Sequence, residues 1–173
     1  MQLIFALTAA AVVAGGLFSS SAFAAGDSGS DTPTCKSGQV YDDKKKLCVQ
    51  AQSGVIDDDS LARYAYALAE GARYEEALAT LDLMRDPGTA EALNYRGYAT
   101  RKLGRVEEGI GYYRQSVALD PDYTLVREYL GEAYVSQGKL DLAKAELAEI
   151  EKRCGTTCEP YEDLAEAIEA VDG

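Results

Sequence analysis

Pro87 and Pro121, Gly97 and Gly131, and Gly104 and Gly138 each stand 34 residues apart. Three coincidences at one spacing mark an internal repeat, and a unit of this length holds a pair of helices. Such a unit buries its apolar face only by stacking on its neighbours. The chain is thereby confined to a helical stack, and its class of work is expected to be protein binding.

The clearest unit spans 90–121. Its first helix carries Leu93, Gly97 and Leu103, a bulky, a small and a bulky residue, before the Gly104-Arg105 turn. Its second helix brings Gly109, Tyr113 and Ser116 in a small, large, small order and ends at Asp120-Pro121, since proline cannot continue a helix. In the next unit, 124–154, Leu130-Gly131 and Tyr134 precede a Gly138-Lys139 turn, and Ala143 and Leu147 follow it. A degenerate unit lies upstream over 58–87. Asp58-Asp59-Ser60 is expected to cap its first helix, Tyr64, Ala65 and Leu68 to line the inner face, and Tyr74 to open a second helix that runs through Leu78 and Leu81. After Cys158, Tyr161, Leu164, Ala165, Ile168 and Val171 recur at helical spacing with acids between them, the pattern of an amphipathic cap.

These spacings resemble the tetratricopeptide repeat (TPR) family over 58–171, about two-thirds of the chain. The resemblance implies an all-α fold: a short TPR-type helix-turn-helix superhelix of three pairs, 58–89, 90–123 and 124–153, with 154–173 as a CxxxC segment and capping helix. Relative to the family, Arg96 and Thr100 replace a usual Leu and Tyr, the Gly71-Ala72-Arg73 turn is one residue long, and Cys154 arrives where a closing proline is due. The chain also resembles exported bacterial TPR proteins with a Cys-closed hairpin before the repeats and a C-G-x2-C-E-x-Y segment after them, which implies a periplasmic helical protein and no catalytic residues.

In that family the first helix of each pair lines a concave groove. The resemblance places Arg63 and Tyr66, then Glu91, Asn94, Tyr95, Tyr98, Arg101 and Lys102, then Glu128, Tyr129, Glu132 and Val135 in it. The expected binding set is Tyr66, Asn94, Tyr95, Tyr98, Arg101, Glu128, Tyr129 and Glu132. Tyrosine and arginine hold a partner through large contact area with few rotors to freeze. For Tyr95 and Tyr129, 34 residues apart, repeat-on-repeat packing is the competing reading. A clamp for a C-terminal carboxylate is not expected, because Ala62, Tyr66, Tyr95, Leu125 and Tyr129 occupy the positions where such clamps carry Lys, Asn and Arg.

Upstream of the repeats the chain changes character. Residues 3–18 are almost continuously apolar, Ser19, Ser20 and Ser21 break the run, and Ala22-Phe23-Ala24 supplies a small-x-small cleavage pattern, so 1–24 is expected to be a signal peptide cut after Ala24. No Lys or Arg precedes the run, and its length falls short of the ~20 residues of a membrane helix. Residues 25–34 are small and polar, a flexible linker. In 35–50, Val40-Tyr41, a polar turn at Asp42-Asp43-Lys44 and a return at Leu47 predict a hairpin closed by cysteines, with 51–57 as a second linker.

Export makes four cysteines an even set in an oxidising compartment. Three pairings are possible, and the local one, Cys35 with Cys48 and Cys154 with Cys158, is favoured. Spacings of twelve and three intervening residues do not suit zinc, whose ligands pair as C-x2-C or C-x4-C. Cys154-Gly155-Thr156-Thr157-Cys158 follows a helix C-terminus, where the dipole disfavours a reactive thiolate. No metal or cofactor is expected.

Charge narrows the partner. With 17 basic and 29 acidic residues and a net charge of -12, the chain lacks the basic face that nucleic acid or an anionic membrane requires. It contains no His, and pairs such as Glu75-Glu76 and Glu107-Glu108 are solvated helix-face acids, so no enzyme is expected. The expected function is a non-enzymatic periplasmic scaffold that binds a protein or extended peptide and, once the signal is cleaved, no membrane. The alternative is a cell-wall or glycan-associated factor that binds through the Cys35 to Cys48 hairpin.

Overall fold

The computed structural model describes residues 33–172 except Ser53. The expected signal peptide, its cleavage point and most of the 25–34 linker lie outside the described residues. Two strands, β1 (Gln39–Asp42) and β2 (Leu47–Gln50), are followed by seven helices: α1 (Asp58–Glu70), α2 (Tyr74–Leu81), α3 (Ala90–Lys102), α4 (Val106–Leu119), α5 (Thr124–Ser136), α6 (Leu140–Cys154) and α7 (Glu159–Asp172).

The hairpin forms where alternation and turn residues predict it. β1 and β2 pair antiparallel with Tyr41 opposite Cys48, and the Asp42 carboxylate accepts the Lys44 and Lys45 backbone N–H groups at 3.1 and 3.0 Å to close the turn. Cys35 and Cys48 are joined by a disulfide. The hairpin is no appendage. Val40 and Cys35 enter the same core as Leu61, Tyr64, Leu68 and Leu81, the Tyr64 hydroxyl accepts the Cys35 N–H at 2.8 Å, and Arg73 donates to the Cys35 carbonyl at 2.9 Å. Ile56, in the segment leading into α1, is buried as well.

Each helix pair turns in the same way. Arg73, Arg105 and Lys139 donate their N–H groups back to Leu68, Thr100 and Tyr134, and the residue before each donor is left-handed: Ala72 at φ 56, Gly104 at 85 and Gly138 at 68. The first turn is therefore as long as the others, against the expectation of an extra residue. Glycine marks this conformation in two turns and alanine hides it in the third. The irregularity sits in α2 instead, which has 8 residues against 14 in α4 and 15 in α6. The cap of α1 also shifts by one residue from the expected place. Asp57 accepts the Ser60 N–H at 3.1 Å, while Asp58 accepts the N–H groups of Arg85 and Asp86 and so fastens the shortened connection to α3.

Consecutive helices pack in order, and alternate helices touch as well: α1 on α3, α3 on α5 and α5 on α7. Within the second pair the approach is set by glycine. A Cβ at Gly97 would stand 2.6 Å from the Tyr113 ring, and one at Gly109 would stand 2.8 Å from the Gly97 carbonyl. Two core clusters result, one around α1 and α2 with the hairpin, the other around α5 and α6, and Tyr98 packs against both. Polar staples hold the ends. Ser116 donates to the Ala90 carbonyl at 2.6 Å, and buried Arg127 bridges the Pro121 carbonyl at 3.0 Å and Glu146 at 2.7 Å. α7 closes the last pair with Leu164 and Ile168 in the second core, and the Cys154–Cys158 disulfide spans the corner between α6 and α7.

Candidate functional site

All eight residues of the expected binding set stand on α1, α3 and α5, the helices that lie side by side. Their tyrosines form a connected run. Tyr66 stacks on Tyr95 with ring centroids 4.9 Å apart, the Tyr66 and Tyr129 hydroxyls interact, and Tyr129 lies 5.1 Å from Tyr98 and 6.2 Å from Tyr113. Tyr66, Tyr95 and Tyr98 are half-buried and Tyr129 is buried. Tyr95 and Tyr129 thus pack helix on helix while belonging to the same face as Tyr66 and Tyr98. Burial holds all of these hydroxyls protonated, with Tyr113 pushed up to about 12 and Tyr66, Tyr95, Tyr98 and Tyr129 raised as well.

The polar members differ in how far they are already engaged. Arg101 donates to Glu132 at 2.7 Å and to the Tyr113 hydroxyl at 3.3 Å, and its guanidinium stands 5.9 Å from the Tyr98 ring centre. It clamps α3 to α5. Lys102 is exposed above Tyr98, 5.2 Å from the same ring. Arg63, expected along the same face, turns away and pairs with Asp43 of the hairpin turn at 3.0 Å. Glu91 accepts from the Tyr95 hydroxyl at 3.2 Å.

Asn94 and Glu128 occupy equivalent positions one repeat apart, and both are buried. Asn94 is fully buried and donates to the Tyr123 hydroxyl at 3.1 Å, while its Oδ1 has no partner. Glu128 is 4% exposed, and its Oε2 also has no partner. Burial pushes the Glu128 carboxyl up to about 8, reinforced by Glu132, Asp163 and Glu159 and opposed by Arg101.

Sequence reasoning missed two contributors. Tyr123 holds Asn94 from outside the first helices. α7 brings Glu159 and Asp163 toward Glu128, and carrying the 34-residue period one step past Tyr129 reaches Asp163. Among the described residues, no three His, Cys, Asp or Glu side chains come together as a metal site. No protein-family model matches the chain, and no curated protein matches it.

Proposed function

We propose that this chain is a non-enzymatic TPR-type binding protein of the bacterial periplasm, holding a protein or extended peptide along the face of α1, α3 and α5. One observation carries the reading: Tyr66, Tyr95, Tyr98 and Tyr129 form an unbroken aromatic run across three stacked helices. Half-buried tyrosines are already ordered, so a partner gains wide contact at small entropic cost. Two disulfides fit an oxidising compartment. Among the described residues no helix is long and apolar enough to cross a membrane. The glycan alternative draws less support, because Tyr41, the one aromatic of the hairpin, packs against the first core.

A photo-crosslinking residue at position 98, compared with one at exposed Leu142 on α6, tests this in intact envelopes. A partner captured at 98 and not at 142, and lost when Tyr66 becomes Leu, is the expected result. Capture that survives Tyr66→Leu and is instead abolished by Leu47→Ser on the hairpin would transfer the function to the hairpin.

A further inference from the structure

We propose that this face holds a basic side chain of an extended peptide, a lysine ammonium or arginine guanidinium, on the carboxyl of Glu128 beside the rings of Tyr66 and Tyr129. The inference rests on the binding face argued above and adds the chemistry of its occupant.

Glu128 Oε2 is out of solvent and without a hydrogen-bond partner in a side chain that is only 4% exposed. A buried carboxyl oxygen without a hydrogen bond is costly, and packing does not require an acid there, since the equivalent residue one repeat earlier is an amide that donates to Tyr123. Among the described residues none completes Glu128, which leaves the place open to a partner's side chain.

The surroundings specify its charge. From α5 and α7, Glu132, Glu159 and Asp163 all add negative potential at Glu128, and Arg101 of α3 opposes them. That arginine is already committed to Glu132 and to Tyr113 of α4. Glu70 at the end of α1 adds to the field at Tyr66, Tyr98 and Tyr129. The site is acidic with its nearest cation engaged.

Aromatic rings favour the same occupant. Glu128 acts electrostatically on both Tyr66 and Tyr129, and the negative faces of such rings attract ammonium and guanidinium groups. Among the described residues no three such groups converge as a metal site would require, whereas a single basic side chain can lay its apolar stem on the tyrosines and set its charged tip against one carboxyl. The net charge of -12 steers a basic segment toward this protein.

The test uses the full secreted chain at pH 7 and three capped tripeptides, acetyl-Ala-Lys-Ala-amide and its arginine and norleucine counterparts, with n-butylammonium as a free amine. Titration is followed by the carboxyl carbon signal of Glu128 and the ring signals of Tyr66 and Tyr129. The lysine or arginine peptide is expected to bind at least fivefold tighter than norleucine and to move the Glu128 signal to the ionised position. Glu128→Gln should abolish that preference with the helical spectrum unchanged, and Asp163→Asn, at an exposed position of α7, should weaken it about twofold.

Equal binding of the norleucine peptide, or a lysine preference that survives Glu128→Gln, would overturn the proposal. Equal affinity for n-butylammonium would overturn the peptide as occupant. The two readings fail separately: loss of crosslinking at position 98 removes the binding face, whereas retained, Tyr66-dependent crosslinking without a basic preference removes only the cation.

Discussion

At the scale of single residues, contrasts within one helix pair isolate packing from propensity. Gly97 faces the Tyr113 ring across a gap that a methyl would overfill, while a Cβ at Gly111 on α4 meets nothing within 4 Å. Gly97→Ala is expected to destabilise by about 1–3 kcal/mol through overpacking. Gly111→Ala, which adds helix propensity without a clash, should stabilise by about 0.5–1 kcal/mol. Urea melts of the two variants check the pair of signs. Ala72 is a second such position, held left-handed at φ 56; Ala72→Gly relieves that cost and should raise stability by about 0.5–1 kcal/mol in the same melts.

Glu128 ties residue chemistry to pH. Its carboxyl titrates near 8 when folded, against an ordinary value of 4.5, so the folded chain holds a proton that the unfolded chain has released. Its contribution to stability is complete below about pH 4.5 and is lost as pH rises through 8. Glu128→Gln removes this dependence. The difference in unfolding free energy between variant and parent should grow in favour of the variant, by about 2–4 kcal/mol from pH 4.5 to pH 9. A difference that stays flat across that range would contradict the buried, unpaired state of this acid.

At the scale of elements, the hairpin and α7 close the two ends of the stack by different means. The hairpin is fixed by one disulfide, the Cys35 backbone contacts and the burial of Val40. Replacing Cys35 and Cys48 by Ser should cost about 2–3 kcal/mol, the range for a loop of this length, and hydrogen exchange should quicken in β1, β2 and α1 before α5. α7 depends on packing more than on its short disulfide loop, because Leu164 lies against Gly131 with no exposed surface. Leu164→Ala should cost about 2–4 kcal/mol, and the exchange it accelerates should lie in α5, α6 and α7 while the hairpin stays protected. The opposite order in either experiment would mean that the ends do not act as local closures.

For the whole molecule, what could be read from the chain was whatever each repeat states locally. The recurrence of Gly104 at Gly138 located two turns, alternation around Val40 located a strand, and apolar spacing after Cys158 located α7. The regular length of the first turn was not legible, because Ala72 adopts a backbone conformation that only glycine advertises. The Asp57 cap was hidden among three consecutive acids whose separate tasks depend on the connection folding back from α2.

The placement of the binding residues divides in the same way. The resemblance to the tetratricopeptide repeat assigned Tyr66, Tyr98 and Tyr129 to one set of helices, through positions that recur in each repeat. Whether Arg101 would be free or clamped, whether Asn94 and Glu128 would lie on the surface or below it, and which acids of α7 would approach them were decided by tertiary contacts. Those outcomes depend on how closely neighbouring helices approach, which Gly97, Gly109 and Gly131 set at particular points. Sequence by itself determined that the chain repeats, turns and stacks, because those properties are local. Only the packed structure decided which carboxyl is left without a partner, because burial and pairing belong to several helices at once.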